Sequence, residues 1–138
     1  MKYVSIELKE YLIDPSFRMC TDCVLFSGDY LNVFAADAAL IDTGATRTSV
    51  SMDIIRQLGV SSKRQELIEI GNTLNDVDVF NVKMMLSPEL IFDIDVYGLP
   101  GEGTGAVIIG MDIIGMGKLT IEPSKGKRHK GELLIATP

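Results

Sequence analysis

A short apolar run that ends in a single carboxylate constrains this chain more than any other stretch. Residues 38–41 are small or branched apolar residues, and they lead directly into Asp42, Thr43, Gly44 and Ala45. An uninterrupted apolar run of this kind predicts a buried strand. A carboxylate at the end of a buried strand is costly unless hydrogen bonds hold it. We expect the Thr43 hydroxyl and the Gly44 N–H to supply those bonds, because glycine permits the tight turn that is needed.

Most of the remaining sequence predicts short strands. Residues 3–8 alternate apolar and polar side chains, which predicts a half-buried strand at a sheet edge. Apolar stretches bounded by turn residues predict extended segments at 24–26, 30–34 and 90–96, and a final strand pair at 118–122 and 132–136.

Residues 66–86 predict a long hairpin. Turn-forming residues at 71–76 separate two apolar arms. The apolar phase of the second arm changes between Val79 and Phe80. This change predicts either a β-bulge or a strand that passes from one sheet to another.

One segment follows the period of a helix. The apolar residues of 49–58 recur at helical spacing, Ser49 or Ser51 is placed to cap the helix, and Gly59 is placed to end it.

A second apolar run ends in a glycine. Residues 106–109 lead into Gly110, and Met111–Ile114 predicts a short helical turn with Asp112 as an acid at its N-terminus. The preceding loop, residues 99–105, contains three glycines but lacks the glycine spacing and the following helix of a phosphate-binding loop.

The two apolar runs, in this order, resemble the landmark motifs of the retropepsin-like aspartic proteases. The first motif is Asp42-Thr43-Gly44-Ala45 after its strand, and the second is the Ile-Ile-Gly-Met-Asp sequence of residues 108–112. The resemblance implies a mostly β, single-lobe acid-protease barrel with one or two short helices over residues 24–138, acting as a symmetric homodimer. Residues 1–23 have no clear counterpart in that family and would form an N-terminal extension with an edge strand.

The resemblance also implies roles for individual residues. Asp42 would be the catalytic carboxylate of an endopeptidase, paired with the Asp42 of a second subunit to activate a water. Residues implied to surround it are the active-site supports Thr43, Gly44 and Ala45, the flap residues Gly71, Asn72, Thr73, Leu74 and Asn75, and the pocket walls Val79, Ile108 and Ile109. The family requires a peptide or protein substrate and no metal or cofactor.

Two other interpretations of the same stretch compete. A non-catalytic member of the fold could keep the Asp-Thr-Gly triplet as scaffold in a dimerisation or peptide-binding module. Residues 42–46 are also similar to the Asp-x-Gly-x-Thr phosphate loop of sugar kinases and their ATPase relatives. Those proteins need two domains, which 138 residues do not hold, and the element that follows here is predicted to be a helix.

Composition narrows the partners and the compartment. A length of 138 residues predicts one domain, and a net charge of −6 argues against nucleic acid, whose phosphates need a basic face. No stretch approaches the length of a membrane span, and Glu7 and Glu10 do not fit a signal peptide. We therefore expect a cytoplasmic protein with no membrane partner, or one released from a larger precursor.

The cysteines and the basic cluster have ordinary explanations. Cys20 and Cys23 are the only cysteines and His129 is the only histidine, too few ligands for a zinc site, so we expect reduced thiols. The basic cluster at residues 125–130 predicts a solvated hairpin tip.

Overall fold

The computed structural model of this protein describes residues 2–13, 16–100, 106–123 and 128–137. Within these ranges the chain forms ten strands and two short helices, so the predicted mostly β class is confirmed. In chain order the elements are β1 (Lys2–Ile13), β2 (Ser16–Phe26), β3 (Val33–Ile41), β4 (Ser49–Ser51), α1 (Met52–Leu58), β5 (Arg64–Ile70), β6 (Thr73–Ser87), β7 (Leu90–Leu99), β8 (Val107–Ile109), α2 (Met111–Ile114), β9 (Gly117–Pro123) and β10 (His129–Thr137).

The described strands pair in the order β5-β6-β7-β4-β8-β3-β2-β1-β10-β9. β6 also pairs with β2, so the strands from β6 to β2 in that order form a closed ring of pairings. Most neighbours are antiparallel, but β3 with β8 and β4 with β7 are parallel. The parallel pair β3–β8 brings together the two apolar runs of the sequence.

The core combines the ring with the strands outside it. Ile54 and Leu58 of α1, Val82 of β6, Ile109 of β8 and Leu133 of β10 are all fully buried. Each such side chain contributes about 1.5–3 kcal/mol relative to an exposed position. The first and last strands are therefore part of the same hydrophobic core as the strands that carry Asp42.

The first strand is longer than predicted and is not a terminal strand of the sheet. The predicted alternation is present, because Val4, Ile6 and Leu8 are buried and Tyr3 is exposed. Residues 2–8 pair with β10, and residues 9–13 pair with β2, so β1 connects these two strands. The prediction that residues 3–8 lie at a sheet edge was wrong, because the strand continues past residue 8 and pairs with a second strand.

The predicted boundary between residues 1–23 and 24–138 falls inside β2. The division of the chain at this boundary stays a prediction.

The hairpin has a tighter turn than predicted. Ile70 pairs with Thr73, so the turn consists of Gly71 and Asn72, with Gly71 at φ +62°. Thr73, Leu74 and Asn75 were expected between the arms, but they lie on β6, because strand pairing extends up to the turn.

The phase change in β6 marks a change of neighbour and not a bulge at that point. The pairing with β5 ends at Val79, pairing with β2 begins at Lys83, and Val79 and Phe80 are both buried. The register shift of β6 against β7 comes later, between Met85 and Ser87.

The predicted helix at 49–58 begins late. Residues 49–51 form β4, because they pair with β7 and β8, and α1 starts at Met52. Gly59 ends the helix, as predicted, and its backbone is in the left-handed conformation. Ser51 occupies the N-cap position, but its side chain makes no capping bond. The predicted basic tip falls partly outside the described residues, and so does most of the glycine loop before β8.

Candidate active site

Asp42 lies where two parallel strands end side by side. Leu40 pairs with Ile108 and Ile41 with Ile109 at the ends of β3 and β8. The backbone N–H of Asp42 then donates to the carbonyl of Ile109 at 3.0 Å. The sheet thus fixes the backbone of Asp42 from a segment 67 residues further along the chain.

The carboxylate of Asp42 is held by its own turn. The Gly44 N–H donates to Asp42 Oδ1 at 2.9 Å, as predicted, and the Ala45 N–H donates to the Asp42 carbonyl at 3.2 Å. The Thr43 hydroxyl was expected to contribute, but it makes no hydrogen bond to Asp42, and Thr43 is exposed. Among the described residues, Oδ2 of Asp42 accepts no hydrogen bond. One carboxylate oxygen is therefore restrained and the other is available.

The strand before Asp42 is less buried than its apolar sequence predicts. Ala39 is fully buried, but Leu40 and Ile41 are half-buried and Ala38 is exposed. The run alternates between the core and the outside because β3 presents only one face to the core. The outward residues leave an apolar surface around Asp42.

A close backbone contact holds the loop after Asp42 against the second motif. The Met111 N–H donates to the Ala45 carbonyl at 2.7 Å. A Cβ at Gly110 would lie 2.7 Å from the Arg47 carbonyl carbon and 2.8 Å from the Ala45 oxygen. Only glycine fits at position 110 without moving this loop.

Hydrogen bonds among Thr48, Gly110 and Asp112 also hold the loop after Asp42 against the second motif. The Thr48 N–H and hydroxyl both donate to the Asp112 carboxylate, at 2.9 Å and 2.8 Å, and the Gly110 N–H donates to Thr48 Oγ1 at 3.1 Å. Thr48 has no exposed surface. Asp112 lies in the first turn of α2, as predicted, but its bonds to Thr48 were missed, because the two residues are 64 positions apart.

A charged cluster connects the same loop to the base of the β5–β6 hairpin. Arg47 contacts Glu66 Oε2 at 3.3 Å, and its guanidinium carbon lies 4.9 Å from the centre of the Tyr97 ring. Burial favours a raised pKa for Glu66, but bonds and charges from Arg64 and Arg47 outweigh it, so the pKa of Glu66 is lowered. Sequence analysis did not identify this cluster, since its members lie on three separate elements.

The single chain does not bring the predicted flap residues, 71–75, to the cleft that contains Asp42. Leu74, near the hairpin tip, is 65% exposed and lies outside the cleft that contains Asp42. Val79 and Ile109 are fully buried, whereas Ile108 is half-buried. Of the three predicted pocket walls, Ile108 is thus the one with accessible surface.

A cleft of about 410 Å³ opens beside Asp42. It is lined by residues 17–19 of β2, residues 40–43 at the end of β3, and Leu119 and Ile121 of β9. Six of these nine residues are apolar, but polar and apolar atoms contribute about equally to the cleft surface, and Asp42 is the one acid and Arg18 the one base among them. Sequence analysis missed this cleft, because it depends on how β9 is placed relative to β2.

Neither cysteine lines the cleft that contains Asp42, although Cys20 pairs with Leu40 on β3. Both are free and buried, and burial raises the pKa of Cys23 to about 12 and also raises the pKa of Cys20. Thiols in this state are unreactive.

In the part of the chain that the structure describes, no group of three His, Cys, Asp or Glu side chains is arranged to bind a metal ion. No helix in that part is long and apolar enough to span a membrane.

Comparison with known proteins bears on the fold. No protein-family model matches the chain, and no curated protein matches it in sequence. Among solved structures, a retropepsin-like aspartic protease from Rickettsia conorii is similar, with a TM-score of 0.58 and 13% sequence identity. The match covers 98% of this chain and 95% of that one. The chain therefore has a mostly β structure with two helices that resembles the retropepsin-like fold.

Proposed function

We propose that this protein is an aspartic endopeptidase that acts as a symmetric homodimer. The observation that carries the proposal is the presentation of Asp42, with one carboxylate oxygen bound by Gly44 and the other unengaged at the mouth of a cleft. The likeness to the R. conorii protease supports the same conclusion at the level of the fold. One chain supplies one such acid, so a pair requires two chains related by a two-fold axis.

The chemistry follows from two carboxylates held close together. Like charges at hydrogen-bond distance cannot both ionise, so the pair retains one proton. The ionised Asp42 takes a proton from water, and the water oxygen attacks the peptide carbonyl carbon. The protonated Asp42 donates its proton to the carbonyl oxygen. Collapse of the tetrahedral intermediate returns a proton to the leaving amine and breaks the C–N bond.

The neighbouring residues have supporting roles in this proposal. Thr43 is exposed, and its hydroxyl is free to bond across the two-fold axis. Gly44 and Ala45 keep the turn small, which lets a substrate backbone approach Asp42. Ile108 forms a pocket wall, with Val79 and Ile109 packed behind it in the core.

The hairpin tip, residues 71–75, is proposed as the flap. An extended peptide would add as a strand between the tip and the Asp42 loop, and closure of the tip would exclude water. Arg47 and Glu66 join the base of this hairpin to the Asp42 loop, so the hinge of the flap and the catalytic acid share one support.

The test is Asp42→Asn measured against the wild type. We expect the variant to lose cleavage of casein and of a peptide library by roughly a thousandfold or more, because neither subunit keeps a carboxyl group to take a proton from water or to donate one to the carbonyl oxygen. Asp37→Asn is the matched control, since Asp37 is an exposed acid on the same strand. Inhibition by pepstatin gives an independent measurement.

Equal digestion by wild type and Asp42→Asn would refute the proposal. A monomer in sedimentation at micromolar concentration would do the same, because Asp42 would have no partner. The outcome would then favour a non-catalytic peptide-binding module, in which the Thr48–Asp112 network keeps the triplet as scaffold.

A further inference from the structure

Arg18, which makes no ion pair with any residue that the structure describes, lies in the same cleft as Asp42. Arg18 is on β2, is exposed, and lines the cleft together with Phe17 and Met19. Within the described ranges it makes no ion pair and no side-chain hydrogen bond. Most other described cations are paired, for example Lys9 with Asp22.

Acidic groups are abundant in this chain. The chain carries 19 acidic and 13 basic residues, so acids are in excess as ion-pair partners. Arg47, Arg64 and Lys83 each contact a carboxylate. Asp42 is the one acid among the residues that line the cleft with Arg18. In the proposed mechanism Asp42 binds water and substrate, so it is not an ion-pair partner for Arg18.

The wall beside Arg18 is held in place. The Phe17 ring stacks on the His129 ring with centroids 3.7 Å apart. His129 Nδ1 in turn lies 2.7 Å from Glu10 Oε1, and the Glu10 side chain is only 5% exposed. This stack joins β1, β2 and β10, so the cleft keeps its shape beside the guanidinium.

The opposite wall is apolar. Leu119 and Ile121 of β9 face the cleft, and Leu40 and Ile41 form its floor next to Asp42. A volume of about 410 Å³ lies within the range of sites that enclose a small group. The apolar residues Leu119 and Ile121 with the Arg18 cation match a side chain with a short aliphatic stem and a carboxylate end, which is the chemistry of Glu or Asp, provided that the carboxylate binds at Arg18 and away from Asp42.

We propose that Arg18 is a specificity-determining residue that selects substrates with an acidic side chain close to the scissile bond. The inference rests on the proposed peptidase function and names its substrate class. A guanidinium binds a carboxylate through two parallel N–H donors, which an amide of the same shape does not satisfy. Discrimination arises because an uncharged side chain leaves the cation without a partner in the cleft.

The experiment compares matched peptides. A cleavage site found in casein is synthesised as pairs that differ only by Glu or Gln at one position, for each position around the scissile bond. We expect the wild type to show a kcat/KM ratio of Glu to Gln of about ten at one position. In Arg18→Gln the ratio falls to about one, and Arg18→Lys keeps an intermediate ratio. Lys118→Gln is the control, since Lys118 is an exposed cation on β9 outside the cleft, and it keeps the wild-type ratio.

Two results would overturn the inference and leave the proposed function standing. The first is Asp42-dependent cleavage with equal rates for Glu and Gln peptides at every position. The second is a fall in both rates of Arg18→Gln together with a shift to monomer in sedimentation, which would make Arg18 an assembly residue. Absence of any Asp42-dependent cleavage would instead refute the proposed function, and the specificity role with it.

Discussion

The loop after Asp42 and the tip of the β5–β6 hairpin are stabilised in opposite ways. The loop is bonded to a distant part of the chain, through Ala45 to Met111 and Thr48 to Asp112. The tip is bonded mainly to itself: Asn75 donates to the Thr73 carbonyl at 3.0 Å, and a Cβ at Gly71 would meet nothing within 4 Å. A region held by long-range bonds keeps its geometry, whereas a region with few tertiary contacts opens at low cost in free energy. The difference suits a site that fixes an acid and admits a ligand.

The largest expected effect comes from Gly110→Ala. The added Cβ would meet backbone atoms of Arg47 and Ala45 that cannot rotate away. We expect a loss of about 3 kcal/mol in the free energy of unfolding, measured by urea denaturation. Gly28→Ala is the control, because a Cβ there has no neighbour within 4 Å, and it should change stability by less than about 0.5 kcal/mol. Equal stability of the two variants would show that the loop is not held as described.

Thr48→Val tests the hydrogen bonds that Thr48 makes with Gly110 and Asp112. The substitution keeps the shape but removes the hydroxyl that accepts from Gly110 and donates to Asp112. The buried Gly110 N–H would lose its acceptor and Asp112 Oδ1 would lose one of its two donors, the other being the Ile113 N–H, so we expect a loss of about 2 kcal/mol in unfolding free energy. Thr46→Val, at an exposed position on the same loop, should have little effect. A similar loss in both variants would point to the β-branched valine and not to the network.

Gly71→Ala tests the tip. The left-handed backbone at φ +62° disfavours alanine, and we expect a loss of about 1 kcal/mol, less than in the loop. Gly71→Asn should lose less, because asparagine tolerates this conformation. Thermal unfolding followed by circular dichroism would rank the two. If Gly71→Ala were as harmful as Gly110→Ala, the contrast between tip and loop would not hold.

The smallest effect is expected at the cleft wall, which belongs to neither region. The hydrogen bond with His129 lowers the pKa of Glu10 below its ordinary value of 4.5. Stability from this interaction is therefore complete above the unfolded-state value and is lost as pH falls through the lower folded-state value. Urea titrations at a series of acidic pH values should show a steeper decline in wild type than in Glu10→Gln. Parallel curves would mean that Glu10 titrates alike in the folded and unfolded chain.

Local features of the sequence predicted the local parts of the site. The Asp42 turn with its Gly44 donor, the stop at Gly59 and the strand that ends at Gly110 all follow from neighbouring residues, and the structure contains each of them. Ser51, one of the two residues predicted to cap α1, is at the N-cap position, but residues 49–51 are extended despite their helical spacing, because they pair with β7 and β8. Tertiary pairing outweighs local propensity over so short a segment.

Long-range features were not predictable from pattern alone. The Thr48–Asp112 bonds, the Arg47–Glu66 pair and the cleft beside Arg18 each join residues that are far apart in the chain. The spacing of polar residues in a sequence does not predict which distant polar residues will contact each other. The arrangement of the strands in the folded chain decides these contacts.

The closed ring of pairings from β6 round to β2 also affects how the molecule comes apart. A strand inside the ring is flanked on both sides, so it cannot peel away without parting from two neighbours at once, whereas β5 and β9 terminate the order and have one neighbour each. Amide hydrogens in the ring should consequently exchange with solvent together, through openings of the whole unit, while those of β5 and β9 exchange earlier through local fraying. Asp42 directly follows β3, which is a strand of the ring, so we expect local opening of β5 and β9 to leave its position unchanged.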